Sequence, residues 1–252
     1  MEKKDRLVIL ITGSSRGIGK KLVQRFAELG HRIVLNFYKG RKEAETLTEE
    51  LELTYGKENV LLVQADVSKR NDVKELFERS KAQFGTVNIL INNAGINLDG
   101  PFLEMTDEQW NRVIETNLTG TFICSQEFAL QLGEGEGHII NLGAATGIHG
   151  RKNGANYCSS KAGIITLTKC LALELAPKVM VNCVVPGFIA TDEVIERYGF
   201  EDPEKAQAVI DTIPAGRLGR VEDIVRTAEF ILFGSSFITG QSFFVNGGDY
   251  RH

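Results

Sequence analysis

The chain has 252 residues, 42% hydrophobic and 25% charged, which is ordinary globular usage and enough for a sizeable core without disulfides or metal. Its 29 basic and 33 acidic residues are evenly mixed and leave a net charge of −4, so no field gathers nucleic acid or an anionic membrane, and neither partner is expected. The four cysteines, Cys124, Cys158, Cys170 and Cys183, make no CxxC pair and no His/Cys cluster at ligand spacing, which predicts a reduced, cytoplasmic chain without metal.

In chain order, apolar runs of strand length stand at 6–12, 32–37, 59–64, 87–92, 138–142, 179–185 and 242–245. The first follows a charged stretch but is too short for a leader and lacks a small-residue cleavage site, so it reads as a strand. Nothing approaches the roughly 20 apolar residues that span a bilayer. Helical-period segments alternate with the runs: Ile18, Leu22, Phe26 and Leu29 fall on one face, and Val73, Leu76 and Phe77 on another. Apolar strands alternating with amphipathic helices predict one doubly wound α/β domain over 1–252, with a seven-stranded, mostly parallel sheet and helices on both faces. The biased stretch 133–137 is a tight helix-to-strand turn, and 191–215 is a helical excursion of the kind that shapes a substrate site as a lid.

Directly after the first strand stands "TGSSRGIGK". Gly13, Gly17 and Gly19 allow a turn too tight for side chains and a backbone that a pyrophosphate approaches closely, while the following helix start offers free N–H groups and a positive dipole end. With "NNAG" at 92–95 and "YCSSK" at 157–161, this spacing resembles the short-chain dehydrogenase/reductase family. The similarity runs through "NLTGTF", "VNCVVPGFIAT", "IPAGRLGRVEDI" and "ITGQSFFVNGG", essentially the whole chain, and is closest to 3-oxoacyl-acyl-carrier-protein reductases. It implies a Rossmann fold whose first loop, with Gly13, Ser15, Arg16, Gly17, Ile18 and Gly19, holds a dinucleotide.

At the end of the second strand no acid stands before Glu43 to accept from a ribose 2′-hydroxyl; Tyr38, Lys39, Arg41 and Lys42 crowd the turn instead, with Arg16 in the glycine loop. Guanidinium and ammonium groups match a 2′-phosphate, so NADP(H) is the expected cofactor, held by Arg16 and one of Lys39 or Arg41. The resemblance implies that Asp66 receives the adenine amino group, that Val67 packs near the ring, and that Asn93, Ala94 and Gly95 line the adenosine side.

Tyr157 and Lys161 lie four apart in a long helical pattern, so phenol and ammonium share one face. A nearby cation favours phenolate, which makes Tyr157 the general acid in reduction and the base in oxidation. By resemblance, Lys161 also bonds the nicotinamide ribose and Asn117 holds a relay water. Mid-helix asparagine costs propensity, so its presence asks for a reason. Pro186, Gly187, Ile189 and Thr191 resemble the loop over the nicotinamide, where a backbone group reads the carboxamide and the threonine reaches the cofactor.

The family places a serine thirteen residues before the tyrosine; here that position is Ala144, whose methyl donates no hydrogen bond. Three readings stay open: a substitution introduced to trap a complex, a variant that uses another donor, with Thr146 nearest, or a chain that has given up turnover. Thr146, in a loop, is also of the type that bonds local backbone. The resemblance implies reduction of a 3-oxoacyl thioester, with Leu98, Phe102, Ile148, Phe188, Tyr198 and Phe200 as candidate apolar walls, and a homotetramer. An acidic carrier protein needs a basic dock, whereas "SQEFALQLGEGEGH" is acidic. The carrier partner therefore stays open, beside two alternatives: a reductase or dehydrogenase of another small ketone, alcohol or sugar, and a dinucleotide-binding protein without turnover.

Overall fold

Strands that are apolar on both faces bury themselves only between two helical layers, and the five inner strands of a seven-stranded sheet do this here, the two edge strands being partly exposed. The computed structural model describes residues 6–250; Met1 to Asp5, the beginning of the stretch read as strand rather than leader, and the last two residues lie outside the described residues. The strands are β1 (Val8–Ile11), β2 (Arg32–Phe37), β3 (Val60–Gln64), β4 (Ile89–Asn92), β5 (Gly137–Leu142), β6 (Val179–Pro186) and β7 (Ser242–Val245), all within the runs expected or a residue of them. They form one sheet in the order β3-β2-β1-β4-β5-β6-β7, and every neighbouring pair is parallel, where the sequence promised mostly parallel pairing. Strand order reverses between β1 and β4, so a crevice opens beyond their carboxyl ends.

The helices are α1 (Gly17–Glu28), α2 (Arg41–Tyr55), α3 (Arg70–Phe84), α4 (Asp107–Ile114), α5 (Gly120–Leu132), α6 (Thr146–His149), α7 (Ala155–Leu175), α8 (Asp192–Tyr198), α9 (Pro203–Ile210) and α10 (Val221–Phe233). Alternation along β1 sorts them into layers. Ile9 and Ile11 meet Leu22 and Phe26 of α1, Leu47 of α2 and Ile231 of α10; Val8 and Leu10 meet Leu76 and Phe77 of α3 and Phe128 of α5. Leu29 departs from the expected helix face: α1 ends at Glu28, the chain turns at Gly30 with φ 85°, and Leu29 is 39% exposed. Among the described residues no helix is long and apolar enough to cross a membrane.

Two features position the crevice and carry no periodic signature in sequence. The rod of α4 and α5 is broken by a π-helical turn at Glu115–Thr119, so Asn117, read as mid-helix, sits on the widened turn and points inward, fully buried. At the carboxyl ends of β4 and β5, Asn92 Nδ2 donates to Ser125 Oγ (3.0 Å) and Asn141 Oδ1 (2.9 Å), while Asn141 Nδ2 donates to Thr168 Oγ1 (3.0 Å). All four side chains are buried, so the network ties α5 and α7 to the strands they cover. Substituting Asn141→Leu takes one of its two acceptors from the Asn92 amide, which keeps Ser125, and removes the donor to Thr168. The expected loss is about 1 to 3 kcal/mol in urea unfolding, and a variant within error of wild type would show the network to be dispensable.

Candidate active site

The loop between β1 and α1 is glycine-rich for two separate reasons. Gly13 has φ 60°, and a Cβ there would sit 2.8 Å from the Ala94 Cα; a Cβ at Gly19 would sit 2.6 Å from Asn93 Nδ2 and 2.7 Å from the Gly13 oxygen. Both are pressed against the segment after β4. Gly17 also has positive φ, 55°, but the nearest atom to its would-be Cβ is Thr191 Cγ2 at 3.9 Å, so it borders open space. The side chain of Asn93 is spent on this seam, donating to the backbone oxygens of Thr12 (2.9 Å) and Gly13 (2.8 Å), and Thr12 Oγ1 accepts from the Asn93 and Ala94 amides.

The first turn of α1 has no side-chain cap and no acidic residue, leaving its amides and dipole available to an anion, and Ser15, Arg16 and Ile18 border them. Arg16 and Lys39 enter no ion pair among the described residues, whereas Arg41 is engaged by Glu45 (3.2 Å) and Gln64. Of the two turn cations, Lys39 is thus the more available. Its Nζ lies 5.8 Å from the Tyr38 ring centroid, and the Arg112 guanidinium lies 5.4 Å from the same centroid. Arg112 also pairs with Asp66 (3.4 Å), whose other oxygen accepts from Ser68 N (3.0 Å) and Oγ (2.7 Å). Burial alone would raise the Asp66 carboxyl, but the Ser68 hydrogen bonds and the Arg112 charge hold it below the usual carboxylate range. Val67 turns inward, so that a Cβ on Gly120 would meet its Cγ2 at 2.8 Å. Sequence reasoning missed Arg112, since nothing in α4 announces that its side chain crosses to Asp66.

Gly95 joins this end of the crevice to the other. A Cβ there would stand 3.4 Å from Asn117 Oδ1 and 3.8 Å from Lys161 Nζ. Asn117 accepts from Ile96 N (2.8 Å) and donates to the Ile96 oxygen (3.0 Å) and Ser160 Oγ (3.1 Å), so its amide pins the post-β4 segment onto α7. Lys161, 5% exposed, donates from Nζ to the Leu142 oxygen at 2.6 Å, and burial pulls its ammonium down to about 8.

Tyr157 and Lys161 share a face as expected, with Nζ 5.7 Å from the phenol ring centroid. The expected electrostatics are corrected. Burial of the hydroxyl pushes Tyr157 above the ordinary phenol range, and the leading cation that opposes it is Arg151, whose guanidinium stands 4.9 Å from the ring centroid. The i,i+4 spacing showed a shared face but not how far the pair is desolvated.

Ala144 follows β5 on the floor of the crevice and is 8% exposed. Thr146 also departs from expectation: its Oγ1 is buried with no hydrogen-bond partner, where a local backbone partner was expected. Pro186 closes β6, and a Cβ on Gly187 would meet the Asn246 Cβ at 2.7 Å. Ile189 buries its side chain, and its backbone oxygen accepts from Thr191 N (2.8 Å); Thr191 Oγ1 caps α8 by accepting from Val194 N (3.3 Å). Of the candidate walls, Phe188, Tyr198 and Phe200 cluster at centroid distances of 5.3 to 6.2 Å, whereas Phe102 is 75% exposed and stands apart from them.

Residues 7–201 match the family model described as short chain dehydrogenase. A 3-oxoacyl-acyl-carrier-protein reductase of Staphylococcus epidermidis is 40% identical over 244 residues, covering 96% of this chain and 98% of the relative. One of Synechocystis sp. is 37% identical over 245 residues, covering 96% of each. A crystal structure of a short-chain dehydrogenase/reductase from Brucella melitensis, described as a glucose/ribitol dehydrogenase, superposes with a TM-score of 0.91 at 29% identity, covering 98% of this chain and 97% of the other.

The buried lysine has a measurable consequence for stability. Its folded pKa, about 8, lies below the ordinary lysine value of 10.5, so between those values the unfolded chain binds more protons and stability contributed by this group rises with pH. The window closes near pH 10, where the raised Tyr157 begins to act in the opposite sense. Lys161→Met removes the buried charge. It should be more stable than wild type by about 1 to 3 kcal/mol at pH 7, with the gap shrinking by pH 9.5 in denaturant titrations. A gap independent of pH would mean that packing, not charge, sets the difference.

Proposed function

Because the chain belongs to the short-chain dehydrogenase family and is an oxidoreductase, we propose that it uses NADPH to reduce a 3-oxoacyl thioester to the 3-hydroxyacyl form. The observation that carries the reading is Gly95, which sets the glycine-loop end of the crevice against Asn117 and Lys161 of the proton-transfer end. The residues fit a dinucleotide: an uncapped helix start beside a positive-φ glycine that borders open space, with Arg16 and Lys39 outside any described ion pair. When bound, the reduced nicotinamide would supply the hydride that forms the new C–H bond at the carbonyl carbon.

The chain's own residues manage the proton. As the carbonyl π bond breaks, the Tyr157 O–H donates its proton to the substrate oxygen, and the phenolate is reprotonated through the Lys161 ammonium. Burial raises the Tyr157 pKa, so the phenol is protonated at neutral pH but a weaker acid than a free phenol, and the cations beside it act against that shift. Asn117 holds the Ile96 backbone and Ser160 at the wall of the site. Gly13, Ser15, Ile18, Gly19, Tyr38, Asp66, Val67, Asn93 and Ala94 shape the nucleotide side, and Pro186, Gly187, Ile189 and Thr191 the nicotinamide side. Residues 191–215 act as the substrate lid.

Ala144 removes one donor from the substrate oxygen, a loss of about 2.7 to 4 kcal/mol in comparable oxyanion sites. Thr146, with a buried hydroxyl that lacks a partner, is the group available to compensate. The acidic stretch before β5 does not oppose a carrier protein. It lies at the amino end of a parallel strand, on the opposite edge of the sheet from the crevice, where Glu134 pairs with Lys178 (2.7 Å). Self-association is supported by apolar side chains left bare on α5 and α7, Leu130 at 70% and Leu173 at 85% exposure. Light scattering should return four times the chain mass; a monomer would end the tetramer assignment.

NADPH oxidation with an acetoacetyl thioester, NADH as control, tests the reading directly. Tyr157→Phe should be silent, and Ala144→Ser should exceed wild type by roughly a hundred-fold or more. Equal rates in wild type and Ala144→Ser, lost in Thr146→Val, would assign the missing donor to Thr146. Silence in every form, with NADPH still bound, would replace this reading with dinucleotide binding or a different small carbonyl.

A further inference from the structure

Arg151 is used by nothing in that chemistry, yet the site is built around it. Its side chain is 15% exposed, and it comes from the turn between α6 and α7. Nη1 donates to Tyr198 Oη (2.7 Å) on α8, and Nη2 to Asn97 Oδ1 (3.0 Å) and Asp99 Oδ1 (2.6 Å) on the segment after β4. The other Asp99 oxygen takes Arg197 Nη1 (3.2 Å), and Arg197 Nη2 reaches Glu193 (2.6 Å). Two stretches distant in sequence thus converge on one guanidinium, which they hold 4.9 Å from the Tyr157 ring centroid.

The local backbone is shaped for the same end. Gly150 and Asn153 have φ of 72° and 63°, and a Cβ on Gly154 would lie 2.7 Å from Arg151 Nε and 2.8 Å from its Cγ. Only a glycine at 154 leaves the arginine its place. Nε itself is buried without a partner, so the side chain is seated for where its planar end lies and not for full hydrogen bonding.

We propose that Arg151 is a positioning residue for proton transfer: aimed by Asn97, Asp99 and Tyr198, its guanidinium clamps the Tyr157 ring and supplies the positive charge that faces the phenol. The inference rests on Tyr157 being the acid and base of the reaction. The charged and titratable groups facing the phenol are Lys161 on its own helix, Arg151 on the α6–α7 turn, and Glu193, Arg197 and Tyr198 on α8, with Asp99 acting through Arg151. Among these Arg151 is the leading influence that favours the phenolate, against burial, Glu193 and Tyr198, which favour the phenol. Because Tyr198 and Arg197 belong to α8, the clamp also links the lid to the acid.

The test is the pH profile of kcat for oxidation of a 3-hydroxybutyryl thioester with NADP, the direction in which Tyr157 must be deprotonated, in wild type and in the Ala144→Ser background. Arg151→Gln should move the midpoint up by about one pH unit or more, while Arg151→Lys, which keeps the charge but not the fork, should stay nearer the wild-type midpoint at reduced kcat. A Gln variant with an unmoved midpoint and only a raised KM would overturn the proposal and make Arg151 a substrate contact. Should Arg151→Gln fail to fold, Asn97→Ala removes one acceptor of the guanidinium without altering charge or any group that faces the phenol; an upward midpoint supports the clamp and an unchanged one overturns it. Tyr157→Phe runs in parallel: activity surviving in it, or silence in every form, overturns the assignment of Tyr157 and the clamp together, whereas an active wild type with a silent Tyr157→Phe leaves the Gln profile to judge Arg151 alone.

Discussion

Two backbones that must pass within contact of each other set the rest of this structure. The loop after β1 and the segment after β4 meet so closely that Gly13 and Gly19 have no room for a methyl group against Ala94 and Asn93. Parallel pairing of β1 with β4 brings them together, and the reversal of strand order there keeps any neighbouring loop from covering the gap. From the same segment Gly95 and Ile96 reach Asn117, and through Asn117 they reach α7. The glycine loop and the helix that carries Tyr157 and Lys161 are thus joined by an unbroken run of contacts through the segment after β4 and Asn117.

What the sequence made legible was whatever repeats locally. Strand runs, the α7 face shared by Tyr157 and Lys161, and the uncapped glycine-rich helix start follow from periods of two and 3.6 and from the steric needs of glycine. What stayed hidden depends on segments that meet only after folding. Arg112 finds Asp66 across 46 positions, and Arg151 finds Asn97 and Tyr198 across 54 and 47. Neither arginine belongs to a pattern that names its partner. The π turn at Asn117 was equally silent, since a helix with one extra residue reads as an ordinary helix. The direction of the Tyr157 shift was missed for another reason: spacing reports adjacency, whereas burial reports solvent, and here solvent exclusion outweighs the neighbouring cation.

Several polar groups in the crevice are held against their own preference. Lys161 is buried with a depressed pKa, Thr146 and Arg151 keep buried polar atoms without partners, and Asn92 and Asn141 occupy strand ends where apolar residues would pack without demanding hydrogen bonds. These costs are offset by the two apolar layers that grip the sheet, in which Phe26, Phe128 and most strand residues are inaccessible to water. The core supplies a surplus of stability, and the crevice is where that surplus is spent on holding reactive groups in place.

The π turn between α4 and α5 has an implication for the whole carboxyl-terminal half. An α-helix advances by about 100° per residue, so one additional residue in a turn rotates everything downstream relative to everything upstream. Val113 and Phe128 both face inward, on opposite sides of the widened turn. The turn thus behaves as a phase corrector: it lets one helical rod obey two different azimuths, one set by contact with α7 and one by contact with α3 and the sheet. Adding or removing one residue within 115–119 would therefore turn α5 by about 100° against α4, whereas exchanging a side chain there leaves both azimuths as they are.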